Sequence, residues 1–112
     1  TINKMIRDGL NGGITLYGGL QKRCHVHIKD LCEFYSGILD HPLNEVFNVV
    51  WMNQELRVTA STVAAMTRSN IITAERTDDR SYTVSGAKAE RMLGWKPWRS
   101  IGDAVHDIMN HV

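Results

Sequence analysis

The chain has 112 residues, 43% of them hydrophobic and 22% charged, enough for one small domain with a modest core and outside the composition of a disordered tail. Its 13 Lys and Arg residues against 12 Asp and Glu leave a formal charge of +1. No bulk field therefore favours nucleic acid or an anionic membrane, and any anion has to be held locally.

No apolar run approaches the roughly 20 residues of a membrane span, and the first residues lack a charged head followed by an apolar signal core. The chain reads as cytoplasmic. Its two cysteines, Cys24 and Cys32, are too few for a secreted disulfide framework and are expected as buried free thiols.

Ile2, Met5, Ile6 and Leu10 share one face at helical spacing, and Asn11-Gly12-Gly13 supplies a left-handed stop. Ile14 to Tyr17 alternates like a short strand, Gly18-Gly19 turns the chain, and His25 to Ile28 is a second strand-like run, so the two are expected to pair as a loose hairpin. Asp30 is placed as the N-cap of a helix carrying the stripe Leu31, Phe34, Tyr35, Ile38 and Leu39, which ends before His41-Pro42. Glu45 to Val50 is β-branched and aromatic with continuous apolar character, the pattern of a strand buried in a parallel sheet.

A helix is predicted from Thr59 to Thr67, starting on a hydroxyl cap, followed by extended Ile71-Ile72 and a charged loop from Glu75 to Arg80. Ser81 to Val84 reads as a brief strand. A short helix from Ala87 to Leu93 stops at Gly94 with Pro97 beyond. Ser100 and Asp103 form a capping-box pair, and Ile101, Ala104, Val105, Ile108, Met109 and Val112 complete an apolar face. Four or five helices and several short strands without an internal repeat give a mixed α/β or α+β class lacking a complete doubly wound sheet.

Three ordered stretches resemble the extended short-chain dehydrogenase/reductase family that epimerises, dehydrates or reduces nucleotide-linked sugars. Asn3-Lys4-Met5-Ile6 with Ile14 to Gly19 and Gln21-Lys22-Arg23 is similar to the family's asparagine-led helix, glycine turn and Gln-x-Arg. His25 to Leu31 resembles its Phe-Val-His-Val-x-Asp-Val segment. Asp79 to Tyr82, Lys88 and Leu93 to Pro97 ahead of the last helix resemble its closing signature. Cys24 and His25 depart from the pattern, where the family usually has Asp and an aromatic residue.

The resemblance implies an α/β portion spanning residues 1–112 that binds substrate, a C-terminal fragment of a longer enzyme. Asn3, Arg23 and Arg80 are then expected at the diphosphate of a nucleotide sugar. The chemistry suits this, because guanidinium offers paired planar donors to phosphate oxygens and keeps its charge when partly desolvated.

The glycine turn that cradles NAD(P) is absent from the sequence, as is Tyr-x-x-x-Lys: Tyr17, Tyr35 and Tyr82 are followed four positions on by Gln21, Leu39 and Gly86. No catalytic or cofactor-binding residue is assigned in this chain. The resemblance places NAD or NADP on an N-terminal Rossmann domain of the parent, about two hundred residues upstream, and the 112 residues alone are expected to be inactive. The alternative is a stand-alone binding module derived from the family, whose Val46 to Val50 strand and last helix would be covered by homodimerisation.

Cys24, His25, His27 and Cys32 carry metal-ligand chemistry, but their spacing fits no standard zinc motif, and no metal is expected. The resemblance makes His27 a structural residue bonding nearby backbone. Asp78-Asp79 reads as an exposed pair in a charged loop. Trp51, Trp95 and Trp98 are candidates for stacking on a nucleobase, with Trp95 read instead as packing under the last helix.

Overall fold

A computed structural model describes residues 1–40 and 44–111. The elements run α1 (Ile2–Leu10), β1 (Gly13–Leu16), β2 (Lys22–His25), α2 (Ile28–Ile38), β3 (Met52–Glu55), α3 (Leu56–Thr67), β4 (Asn70–Thr73), α4 (Ala87–Leu93) and α5 (Ile101–Met109). The expectations for His41-Pro42 and Val112 lie outside the described residues.

The core forms around α3, whose small and β-branched residues Ala60, Val63 and Ala64 let neighbours approach closely. Met5 and Ile6 of α1, Ile14 and Leu16 of β1, and Ile101 and Val105 of α5 close around them. Ala60, Val63 and Val105 are wholly removed from solvent, burial that contributes about 25 cal/mol per Å² of apolar surface.

The predicted hairpin is not formed. β1 pairs with β4 in parallel, Gly13 against Asn70 through Leu16 against Thr73, while β2 pairs antiparallel with β3, Lys22 against Glu55 through His25 against Met52. The Gly18-Gly19 turn separates the two sheets. Gly19 has φ +142°, a backbone conformation that favours glycine, and an added Cβ there would lie tightly, 3.2 Å from Cβ of Arg57. Gln21 braces the turn, its Oε1 accepting from Gly19 N–H and its Nε2 donating to the Tyr17 carbonyl.

The predicted strand from His25 to Ile28 lies instead at Lys22–His25, because His27 is the N-cap of α2 and its Nδ1 accepts from Lys29 N–H at 3.1 Å. Asp30 is therefore not the cap. It sits inside the helix, fully buried, where it accepts hydrogen bonds from the backbone N–H groups of Trp98 and Arg99, 2.9 and 2.8 Å away, and from the Arg99 guanidinium. A buried carboxylate needs such partners, and these lie far along the chain. Cys24 is half-buried and Cys32 exposed, so the expected buried pair of thiols is not found.

Three further expectations are corrected. Residues 44–50 lie without ladder partners among the described residues, and Val46 is 83% exposed, so the continuous apolar run is not a buried strand here. α3 begins at Leu56, and Thr59 is a buried residue within it instead of its cap, since β3 delivers the chain directly into the helix. Ser81 to Val84 is not a ladder strand: the Asn53 side chain receives Val84 N–H and donates to its carbonyl, both at 2.8 Å, a substitute made by one amide.

The remaining helices follow the sequence. Gly94 closes α4 in the left-handed region at φ +64°, and Ser100 with Asp103 makes the reciprocal capping box of α5. At the end of α1, Asn11 keeps an ordinary φ of −98° while Gly12 takes the positive φ. The described chain measures 47 × 32 × 15 Å with a radius of gyration of 15.8 Å, against about 13 Å for a compact domain of this size. The excess comes from a wing formed by α2, residues 44–50 and α4, where Phe34 meets Phe47 and Trp95 at ring distances of 6.0 and 5.7 Å. Trp95 thus packs on α2, not under the last helix.

His25 offers a pH test of this core. Thr59 donates its hydroxyl to Gln54 Oε1 and accepts from His25 Nε2, 3.3 Å away. Burial holds the His25 pKa below the ordinary 6.5. The unfolded chain then binds this proton more readily, so the stabilisation is complete above pH 6.5 and is lost as pH falls through that value toward the folded pKa. The melting temperature is expected to fall between pH 7.5 and 5.5, and His25→Gln to flatten that dependence. Parallel curves for the two proteins would assign the effect elsewhere. Asp8, Asp103 and Asp107, held below 3.8 by Lys4, Ser100 and Lys29, act only at lower pH.

Candidate functional site

β2 carries Arg23 toward the loop after β4. There the Arg23 side chain, only 11% exposed, meets the carboxylate of Asp78, with Nη2 3.2 Å from Oδ2. Its Nη1 donates to the Lys22 carbonyl at 2.9 Å and to the Arg80 carbonyl. Backbone carbonyls thus fix one edge of the guanidinium and leave its charge aimed along the loop. Tyr82 lies beneath it, ring centroid 5.2 Å away, a contact that steadies a cation without consuming a donor.

Arg80 reaches the same carboxylate from the opposite side. Its Nε and Nη2 lie 2.9 and 2.8 Å from Asp78 Oδ1 and Oδ2, the paired geometry of guanidinium on carboxylate. Its side chain is 83% exposed. The side-chain hydrogen bonds from Arg80 hold the Asp78 carboxyl far below the usual carboxylate range, and those bonds raise the Arg80 pKa in turn.

Arg23, Asp78, Arg80 and Tyr82 line a cavity of about 390 Å³ together with Lys4, Asp8, Thr15, Tyr17 and Leu56. The structure therefore brings together Arg23 and Arg80, two of the three expected anion-binding residues, which lie 57 positions apart in sequence. Asn3 is exposed on α1 and lines a different cavity with Ile2, Val26, His27, Lys29 and Asp107.

Sequence reasoning read Asp78 as a solvated charge and missed that it joins the two arginines. A local signal existed: Asp78 Oδ1 accepts from the N–H of Arg80, two residues on, at 3.2 Å, the bond that an aspartate makes at the head of a turn.

Of the cysteine and histidine group, His27 faces Asp107 at 3.4 Å and His25 faces Thr59. Among the described residues no three His, Cys, Asp or Glu side chains converge as metal ligands. No helix in the described residues is long and apolar enough to cross a membrane. Trp98 is 62% exposed with the Arg99 guanidinium 4.2 Å over its ring, and Trp51 packs against the core.

No family model and no characterised protein match the chain by sequence. Solved structures match its fold. dTDP-glucose 4,6-dehydratase from Bacillus anthracis, in complex with NAD, shares 20% identity and a TM-score of 0.79, covering 97% of this chain and 38% of that one. UDP-N-acetylglucosamine 4-epimerase from Bacillus cereus gives 18% and 0.80, covering 99% and 40%. UDP-glucose 4-epimerase from Thermotoga maritima, with UDP-glucose, gives 19% and 0.78, covering 98% and 39%. The chain thus has the fold of a part of each of these enzymes and spans about two fifths of the proteins it matches.

Proposed function

We propose that the chain is the nucleotide-sugar recognition portion of an NAD(P)-dependent epimerase, dehydratase or reductase, and that its arginine-lined cavity takes the substrate diphosphate. The observation that carries this reading is the convergence of Arg23 and Arg80 on one cavity. Two guanidinium groups beside a single carboxylate are a local positive site in a chain of nearly zero net charge, which is how a small dianion is held without a bulk field.

The fold supports the same reading, since the structures it resembles carry NAD, NADPH, UDP-glucose or UDP-glucuronic acid. Under this proposal, hydride chemistry and the catalytic Tyr-x-x-x-Lys belong to a Rossmann domain preceding residue 1. The present residues position the substrate by its diphosphate, remote from the reacting sugar, which is where binding energy is converted into orientation.

Titration calorimetry with UDP, dTDP and uridine tests the assignment. Binding of the two diphosphates and not of the nucleoside is the expected result. Equal binding of uridine, or no binding of either diphosphate, removes the diphosphate role.

A second reading, a binding module that dimerises, draws on the exposed apolar residues of the wing: Ile28, Tyr35, Leu39 and Val46 are 61 to 83% exposed. Such side chains invite a cover. A mass that doubles with concentration in sedimentation equilibrium, without diphosphate binding, favours that reading.

A further inference from the structure

We propose that Asp78 is an internal counter-anion that parks Arg80, and that a ligand binds by taking Arg80 away from it, so that the site selects two adjacent phosphates over one. This rests on the reading of the cavity as an anion site and concerns how that site is kept when empty of substrate.

Asp78 occupies the position between the two arginines that a phosphate would take. Its Oδ2 serves both guanidinium groups, 3.2 Å from Arg23 and 2.8 Å from Arg80, while Oδ1 takes the Arg80 Nε. A single carboxylate cannot neutralise both cations, so one positive charge is left over to attract an anion, while the donors of Arg80 that face the carboxylate are already used.

The two arginines differ in freedom. Arg23 is 11% exposed and tied to two backbone carbonyls, whereas Arg80 is 83% exposed and, among the described residues, its side chain bonds only Asp78. Arg80 is therefore the arm that moves. Asp78 also keeps a backbone partner, the N–H of Arg80 at 3.2 Å, so releasing the guanidinium does not leave the carboxylate without a donor.

An anion with one phosphate can engage Arg23 while Arg80 remains on Asp78. A diphosphate spans both, and its second phosphate competes directly with the carboxylate in the same paired geometry. Selectivity then follows from competition: the carboxylate sets a threshold that the second phosphate alone overcomes. Lys4 across the cavity is likewise held by Asp8, so each of these three cations has a carboxylate partner.

The test is calorimetry of inorganic phosphate, inorganic pyrophosphate and UDP on the wild-type chain, Asp78→Asn, Arg80→Gln and the double variant. Asp78→Asn is expected to bind pyrophosphate and UDP about three- to tenfold tighter, to narrow the gap between phosphate and pyrophosphate, and to lose that gain in the Arg80→Gln background. Asp78→Ser, which keeps an oxygen for the Arg80 N–H without the charge, serves if the asparagine variant does not fold. Unchanged or weaker binding by these variants, with wild type still binding diphosphate, makes Asp78 a bracket that orients Arg80 and overturns the proposal while leaving the anion site standing. Absence of binding by every variant and the wild type removes both.

Discussion

Asp30→Ala is expected to cost about 3 kcal/mol of stability, read as a lowered midpoint in urea denaturation, because hydrogen bonds to a charged acceptor are worth about 1.5–3 kcal/mol each and do not add fully. The carboxylate is wholly buried and receives two backbone N–H groups and the Arg99 guanidinium. Alanine leaves both backbone N–H groups without an acceptor, while the Arg99 guanidinium keeps Glu33, 2.9 Å from its Nη2. Besides Asp30, the Glu33 bridge to Arg99 at 2.9 Å and the Lys29 bridge to Asp107 at 2.6 Å tie α2 to the rest of the protein.

Asp30→Asn separates charge from shape. Its amide oxygen still accepts from one side, but its NH2 faces a donor on the other, so a smaller loss is expected. A midpoint for Asp30→Ala within about 0.5 kcal/mol of wild type would show that water or a local rearrangement replaces the carboxylate.

Asp30 also shows why part of the fold escaped the sequence. A short polar residue before an apolar stripe is a sound local signal for a helix cap, yet the partners that decide its place are Trp98 and Arg99, at the far end of the chain. The helices whose ends are set by neighbours were readable: Gly94 closing α4, and Ser100 with Asp103 opening α5. The sheet partners were not. β3 is Met-Asn-Gln-Glu, with no apolar alternation, and it exists because β2 lies beside it. Ile14 to Tyr17 reads as a strand, but nothing local says that Asn70 to Thr73 is the neighbour of β1. The run from Val46 to Val50 fails in the opposite sense, an apolar strand pattern without a ladder among the described residues.

The site divides the same way. Arg23 and Arg80 were identified through motif resemblance, and the structure gives them a common cavity; Asn3, from the same resemblance, opens onto another. Asp78 was discounted because two adjacent carboxylates in a charged loop are usually solvated. Only the approach of β2 to that loop shows it as the link between the arginines.

Arg23→Met is expected to weaken UDP binding about 10- to 100-fold, the loss of a charge-assisted hydrogen bond worth about 1.5–3 kcal/mol. Methionine preserves the length and apolar stem of the side chain while removing the charge. Arg23 is the fixed member of the pair, so its donors are held in place before the ligand arrives. Arg80→Met is expected to cost less, about threefold, since its side chain is solvated and has to be ordered on binding. Calorimetry well below each variant's melting temperature keeps folding out of the comparison, and wild-type affinity should fall as salt is raised. Wild-type affinity in Arg23→Met would place the phosphates elsewhere and leave the cavity without its assigned ligand.

The parallel pairing of β1 with β4 bears on how the protein reaches its native state. Between Gly13 and its partner Asn70 the chain passes through β2, α2, β3 and α3, so the ladder joins parts of the chain that no local turn brings together. Closing so long a loop costs entropy before any contact repays it. α1, α3 and α5 can gain local turns within microseconds, but the β1 ladder has to wait for α3 to dock. The rate of folding is then governed by the topology of this one crossover more than by the propensity of any helix.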